Sequence, residues 1–376
     1  MTPENNRLVA LLSKGVADQC PSLPREGNVN YYERFRTNER FLTTNVHHLT
    51  TAAAMAQQIK HIEKLANKNN VTRRTLLDEI VKNSIWLTDH GVTHVETVIE
   101  RAAQLVLKGN CNLTAYEAFI LLMACHFHDV GNVYGREKHE QRISAIMDSI
   151  DPAVIGDNTF ERRLVADIAA AHGGKIGNDK DTIGALPYKA QPGPDEVRAH
   201  LLAAILRFAD ELAEDYTRAS RFAIDHDLIL KASEVYHQYA DRLRKVKINE
   251  GSIELSFEIN KAVSMQKYGK GAKQVFLLDE IFDRTLKLHL EHLYCMRFMR
   301  PYIHFSRITI KIDLYNSNYS KLLRPAVHIE YDLEESGYPA SPRGGIHCVC
   351  PNLVNGSGTN WTGQLLQNTV TDVESD

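Results

Sequence analysis

Histidine and aspartate recur at the ends of apolar segments through the middle of this sequence. His90 and His94 are four residues apart, which places both on one face at the start of a helix. His128 and Asp129 close the apolar run Phe119-Ile120-Leu121-Leu122-Met123, and Gly131 follows at once, letting the chain turn away. His139 stands in Arg136-Glu137-Lys138-His139-Glu140, and His172 in Ala171-His172-Gly173-Gly174-Lys175. Asp210 interrupts an otherwise apolar helical stretch, Ile205-Leu206-Arg207-Phe208-Ala209-Asp210-Glu211-Leu212. Polar groups of this kind are costly to bury unpaired. Imidazole combined with carboxylate suits Mn, Fe, Co, Ni or Zn, and Mg where carboxylates and water predominate. Each residue also has a plain structural reading. His94 could be a hydrogen-bonded helix residue, Asp210 a partner of Arg207, His139 an exposed side chain, and His172 a cation favoured by a helix C-terminus.

The elements that must position these groups are mostly helices. One is expected from near Asp89, with Val95, Val98, Ile99, Ala102 and Leu105 on one face and an end at Lys108-Gly109-Asn110. The next opens at Thr114-Ala115-Tyr116-Glu117, a capping-box sequence, and runs to His128-Asp129. Further helices are expected at about 138–150, 160–171 and 194–219, with a Gly-, Asp- and Pro-rich loop over 173–194. Upstream, 29–85 reads as helical with a turn at 67–70. Beyond about residue 240 the period changes to alternation, at Val246 and Ile248, at Ile253, Leu255, Phe257 and Ile259, at Ile308 to Leu314, and at Val327 to Tyr331. Those are half-buried strands with a hairpin around Gly251, and a long helix at about 275–298 lies between them. The fold class is therefore mainly α, a helical core followed by a smaller α+β region with a short antiparallel sheet. The boundaries read as an N-terminal helical extension 1–75, the core 76–225, the α+β region 226–334, and a flexible Gly/Ser/Pro/Asn-rich tail 335–376.

Composition narrows the function classes. With 43% hydrophobic and 24% charged residues the chain is that of a globular protein, and no apolar run is long enough to span a membrane. The start, MTPENNRLVALLSKG, lacks a secretory pattern, so the cytoplasm is the expected location. A balance of 44 basic against 47 acidic residues does not advertise a broad nucleic-acid surface. Six cysteines are too sparse for a disulfide framework, and Cys348-Val349-Cys350 has no second pair to complete a zinc site. There is no phosphate loop of the Walker type, no Gly-x-Gly-x-x-Gly after a strand, and no Gly-x-Ser-x-Gly elbow. His139-Glu140 is not a zinc-protease motif, because position 143 is Ile.

The ordered segments HVETV at 94–98, HFHDVGN at 126–132, KHEQRI at 138–143, AAHGG at 170–174 and LRFADELAEDYTRA at 206–219 together resemble the HD-domain metal-dependent phosphohydrolases over about 85–225. The resemblance implies a primary metal site of His94, His128, Asp129 and Asp210, with His139 and His172 completing a second. It implies one or two divalent ions and a water that attacks a phosphoester or phosphoanhydride, with Asp129 the bridging ligand. Asp129, His139 and His90 are then the candidate catalytic groups, and Arg136, Lys138, Lys175 and Arg218 the candidate phosphate binders. The expected substrate is a nucleotide, as a (deoxy)nucleoside triphosphate or a signalling nucleotide, or another phosphorylated small molecule. The alternatives are a nuclease acting on single strands and a non-catalytic nucleotide sensor. No membrane partner is expected, and a homo-oligomer stays open. Departures are specific: Asn132 replaces a lysine common in relatives, and neither the Gly-Tyr-Pro motif of cyclic dinucleotide phosphodiesterases nor the His-Pro-Pro-Phe-Gly-His run of dGTPase-like enzymes is present. The later half is similar to that of HD proteins from bacterial conflict and signalling systems, which implies a role in antiviral defence.

Overall fold

The computed structural model describes residues 8, 31–41, 92–134, 138–193, 195–219, 224, 229–300, 302–316, 325–335 and 345–372. Most of the expected helical extension, including the turn at 67–70, lies outside them. The chain divides into two compact units, one of residues 1–61, 90–213 and 295–304, the other of 62–89, 214–294 and 305–376.

The first unit is helical: α1 (Tyr31–Phe41), α2 (Val92–Lys108), α3 (Ala115–Phe127), α4 (Ile143–Asp148), α5 (Pro152–Ile155), α6 (Thr159–Ala170) and α7 (Ala199–Glu211). The five apolar residues expected on one face of α2 are all buried. Helix α3 is buried along its whole length, as its unbroken apolar sequence requires. Its start is fixed by the expected capping box, in which Thr114 Oγ1 accepts from the Glu117 backbone (3.0 Å) and Glu117 accepts from the Thr114 backbone (3.1 Å). Glu117 does more than cap. Arg198, at the start of α7, donates to it from its backbone N–H, Nε and Nη2. That clamp helps set α7 to begin at Ala199, later than the residue 194 expected from sequence. Glu161 of α6 accepts from the Tyr116 hydroxyl (2.9 Å) and pairs with Arg34 of α1, whose guanidinium also lies over the Phe119 ring. Three helices thus converge on the face of α3 through a few buried polar groups, each of which is satisfied.

The second unit holds α8 (Glu234–Arg242), β1 (Leu243–Asn249), β2 (Ser252–Asn260), α9 (Lys261–Ser264), β3 (Lys267–Lys270), β4 (Lys273–Phe276), most of α10 (Leu277–Met299), β5 (Arg307–Tyr315), β6 (Val327–Glu334), α11 (Ile346–Val349) and α12 (Gly363–Asp372). All four expected strands form, and Gly251 supplies the positive φ (74°) of the β1–β2 hairpin. The main sheet, in the order β1-β2-β5-β6, is mixed: its outer pairings are antiparallel, and the central β2/β5 pair is parallel. The connection from β2 to β5 runs through α9, the β3–β4 hairpin and α10, and so is long enough for a parallel crossover. Alternation in sequence is the same for either direction. One face of the sheet is a ladder of Ile, Leu, Phe and Tyr, and α10 covers it, with Phe282 against Tyr331 and Thr285 Oγ1 2.7 Å from the Tyr331 hydroxyl.

Part of the expected flexible tail folds back. Ile346, Leu353, Trp361, Leu366 and Val370 are buried. The Gly363 backbone donates to Asp279 Oδ1 (2.7 Å), and a Cβ at Gly363 would lie 2.2 Å from that of Phe276. Spaced apolar residues among Gly, Ser and Asn suffice to dock this segment.

Two predictions follow from these buried polar groups. Glu117→Ala removes the cap and leaves Arg198 without its carboxylate, so unfolding free energy should fall by about 3 kcal/mol; a loss under about 1 kcal/mol in urea denaturation would mean the clamp is dispensable. In the second unit, burial lowers His237 and His289 to about 4, reinforced by the charges of Arg218 and His292 respectively. In the unfolded chain both titrate near 6.5. Between about pH 6.5 and 4 the unfolded state binds more protons, so stability should fall as pH drops through that window. His237→Leu should flatten this acid limb in denaturation curves at pH 7 and 4.5, and an unchanged slope would count against it.

Candidate metal centre

Four helices and one short turn of the first unit bring the sequence-predicted residues together. His94 comes from α2, His128-Asp129 from the end of α3, His172 from just beyond α6, and Asp210 from the last turn of α7. His139 opens the 3-10 turn His139–Arg142 that leads into α4. His94 and His128 are fully buried, and Asp129, His139 and His172 nearly so.

Asp129 lies between two pairs of imidazoles. Its Oδ2 faces His94 Nε2 (3.6 Å) and His128 Nε2 (3.5 Å), while its Oδ1 faces His139 Nε2 (3.2 Å) and His172 Nε2 (3.8 Å). Within each pair the Nε2 atoms nearly touch, at 3.3 Å for His94 and His128 and 3.1 Å for His139 and His172. Asp210 Oδ1 closes the first group, 3.2 Å from His94 Nε2 and 3.7 Å from His128 Nε2. Two sets, His94/His128/Asp129 and Asp129/His139/His172, are compact enough to hold an ion each.

The outer nitrogens explain why the inner ones converge. His128 Nδ1 donates to the Cys125 carbonyl (2.8 Å) and His172 Nδ1 to the Ala169 carbonyl (2.6 Å), each three residues back. A carbonyl only accepts, so Nδ1 carries a proton, and whenever such a ring is neutral its Nε2 lone pair is turned inward. His139 Nδ1 faces Glu140 Oε2 at 3.3 Å, which does the same for its ring. Nitrogen lone pairs this close repel unless a cation sits among them. A proton on His128 can serve as that cation. Burial disfavours a charge on His128, yet Asp129 and Asp210 overcome it and raise the ring to about 10. At His172, burial and the charge of His128 prevail and lower it to about 4. Burial would raise Asp210, but His128 and His94 hold it well below the usual carboxylate range. The two carboxylates thus favour positive charge at His128, and the donor set of imidazole and carboxylate fits a divalent metal.

Several sequence expectations change in detail. Gly131 has no positive φ; it is required because a Cβ there would lie 1.9 Å from the His139 carbonyl oxygen. Arg207 does not pair with Asp210 but donates to Thr182 Oγ1 (2.9 Å) and toward the Ala171 carbonyl, tying the loop after His172 to α7. Glu140 and Gly174 had no signal in the spacing. Gly174 (φ 71°) leaves room for Glu140, since a Cβ would lie 2.5 Å from its Oε1. His126 packs its ring against Phe35 of α1. Of the candidate phosphate binders, Lys138 and Lys175 are exposed, and Arg218 belongs to the second unit, buried beside Glu214 at 3.5 Å. His90 and Arg136 lie outside the described residues.

The family model described as HD-CE matches residues 86–281, just over half of the chain and a span that includes all six clustered residues. No curated protein matches the sequence.

The close approach at Gly131 gives a direct test. Gly131→Ala should push the His139 backbone away, lower stability by about 1–3 kcal/mol, and shift the His139 imidazole resonances. Unmoved resonances at native stability would show that the turn absorbs a methyl group and that this contact does not set the position of His139.

Proposed function

The chain belongs to the HD-CE family, and from that premise we propose that it is a metal-dependent phosphohydrolase whose substrate is a nucleotide. The observation that carries the reading is the placement of the Asp129 carboxylate between two pairs of Nε2 atoms, buried and directed at one another. In this reading His94, His128, Asp129 and Asp210 hold one divalent ion, and Asp129, His139 and His172 hold a second. A metal bound there supplies Lewis acidity, polarising a phosphoryl oxygen and bringing a water toward ionisation at neutral pH.

The protein's own residues do the rest. Asp129 offers one oxygen to each group, so a single rigid carboxylate sets the spacing between them. The Cys125 and Ala169 carbonyls and the Glu140 carboxylate hold three rings in the tautomer that presents Nε2. His139 is the least enclosed of the imidazoles by side chain, at 9% exposure, and is the one placed to exchange a proton with a leaving group. The apolar walls of α2, α3 and α7 enclose His94 and His128 fully, which strengthens the interactions those rings make. A nucleotide is preferred to a nucleic acid because the chain carries no basic excess.

The test pairs elemental analysis of the purified protein with hydrolysis of a panel of nucleoside mono-, di- and triphosphates, a cyclic dinucleotide and single-stranded DNA and RNA, in added Mn, Mg, Co or Fe. One or two equivalents of metal and nucleotide turnover are expected, with both lost in Asp129→Ala. Turnover of nucleic acid alone would make the protein a nuclease. Bound nucleotide without turnover at any metal would make it a sensor.

A further inference from the structure

The two groups of ligands that share Asp129 are built differently. His94, His128 and Asp210 lie on or at the end of α2, α3 and α7, long helices whose places are set by buried apolar residues. His139 and His172 stand instead in a 3-10 turn and in the segment that follows α6. Their Nε2 atoms are 3.1 Å apart, so that turn must be fixed against that segment. The loop after His172 is held by Thr182 Oγ1, which donates to the Ala171 carbonyl (2.8 Å) and accepts from Arg207. A further hold comes from Glu140. Its Oε2 faces His139 Nδ1 at 3.3 Å, and the end of its side chain lies over Gly174, two residues beyond His172. A Cβ at Gly174 would stand 2.5 Å from Oε1, 2.7 Å from Cδ and 2.8 Å from Cγ, well inside van der Waals contact.

One side chain therefore touches both halves of the second group. Glu140 faces the outer nitrogen of His139, which turns Nε2 toward Asp129, and it rests on backbone that glycine alone leaves open, at φ 71°. We infer that Glu140, seated against Gly174, is a positioning residue that assembles the Asp129/His139/His172 ion site, so that the second ion is gained or lost without the first. The inference deepens the phosphohydrolase reading and rests on its metal-binding part. The first group has supports of its own: the Cys125 carbonyl orients His128, and Asp210 brings a second carboxylate within 3.2 Å of His94 Nε2. That extra carboxylate also makes the first group the tighter binder, since the second has Asp129 alone.

Binding of Mn to the full chain, stripped of metal, would be measured by titration calorimetry alongside melting temperature, for the parent and for Glu140→Ala, Glu140→Gln, Gly174→Ala and Gly173→Ala. A Cβ at Gly173 meets nothing within 4 Å, so that variant controls for substitution in the loop as such. The parent should take up two ions in distinguishable steps. Glu140→Ala and Gly174→Ala should keep the first step within about twofold and weaken the second about tenfold or more, as loss of an outer partner of a ligating histidine does. Glu140→Gln keeps the length and an acceptor oxygen, and should restore most of the second step; Gly173→Ala should match the parent. In metal-free protein, the His139 and His172 imidazole resonances should shift in Glu140→Ala while those of His94 stay. If Glu140→Ala does not fold, Gly174→Ala carries the same comparison, because there the carboxylate is only pushed aside. A second step of parental affinity in the folded variants would overturn the inference, as would equal weakening of both steps or a parent that binds one ion or none. Turnover scores the phosphohydrolase reading separately: two ions bound in this pattern with no phosphate ester hydrolysed would sink that reading and leave the inference standing. Nucleotide hydrolysis by the parent, with both ions bound normally in Glu140→Ala, would sink the inference alone.

Discussion

Asp129 is the group on which the first unit depends. A carboxylate that is 5% exposed, at the end of a wholly buried helix, must have partners or stay protonated. Here four imidazoles supply them, drawn from α2, from α3 itself and from the segments beyond α3 and α6. Each of those elements is anchored at a distance from the cluster. Glu117 ties the start of α3 to α7, Glu161 ties α6 and α1 to the face of α3, and Arg207 ties the loop after His172 to α7. The Glu117 and Glu161 anchors use none of the metal-capable groups, while the Arg207 anchor reaches the carbonyl just before His172.

Much of this was legible in the sequence, for physical reasons that differ from residue to residue. Periodicity located α2 and the buried strands because the apolar pattern of an amphipathic element is local. The capping box at Thr114 was readable for the same reason. The six clustered residues stood out as polar interruptions of apolar segments in a recognisable order. What could not be read were contacts between residues distant in sequence or set by backbone shape. Gly131 was visible as a glycine, but its cause, the His139 carbonyl pressed against it, is a tertiary contact. Glu140 neighbours His139 in sequence, where spacing rules for helices give no reason to pair them. The parallel pairing of β2 with β5 leaves no trace in the alternation of either strand. The β3–β4 hairpin is four residues a side, too short to show a period. The Gly/Ser-rich end looked flexible by composition, yet a handful of apolar residues docks it.

The second unit shows that buried histidines alone do not make such a centre. His237, His289 and His292 are as buried as His94 and His128. Burial lowers the first two, whereas the paired carboxylates raise His128. His292 spends Nε2 on the Phe305 carbonyl, 2.7 Å away, which is where a ligand's lone pair would otherwise face. The distinction lies in which nitrogen is committed to the backbone. For His128 and His172 in the first unit it is Nδ1, through carbonyls three residues back, and Nε2 is left for the interior.

Charge then connects metal to substrate. If all four imidazoles were neutral, the cluster would carry the two negative charges of Asp129 and Asp210. Such a pocket repels phosphate and attracts cations. One divalent ion would cancel that field and two would reverse it, so any affinity for an anion would come from what the histidines hold and not from the histidines.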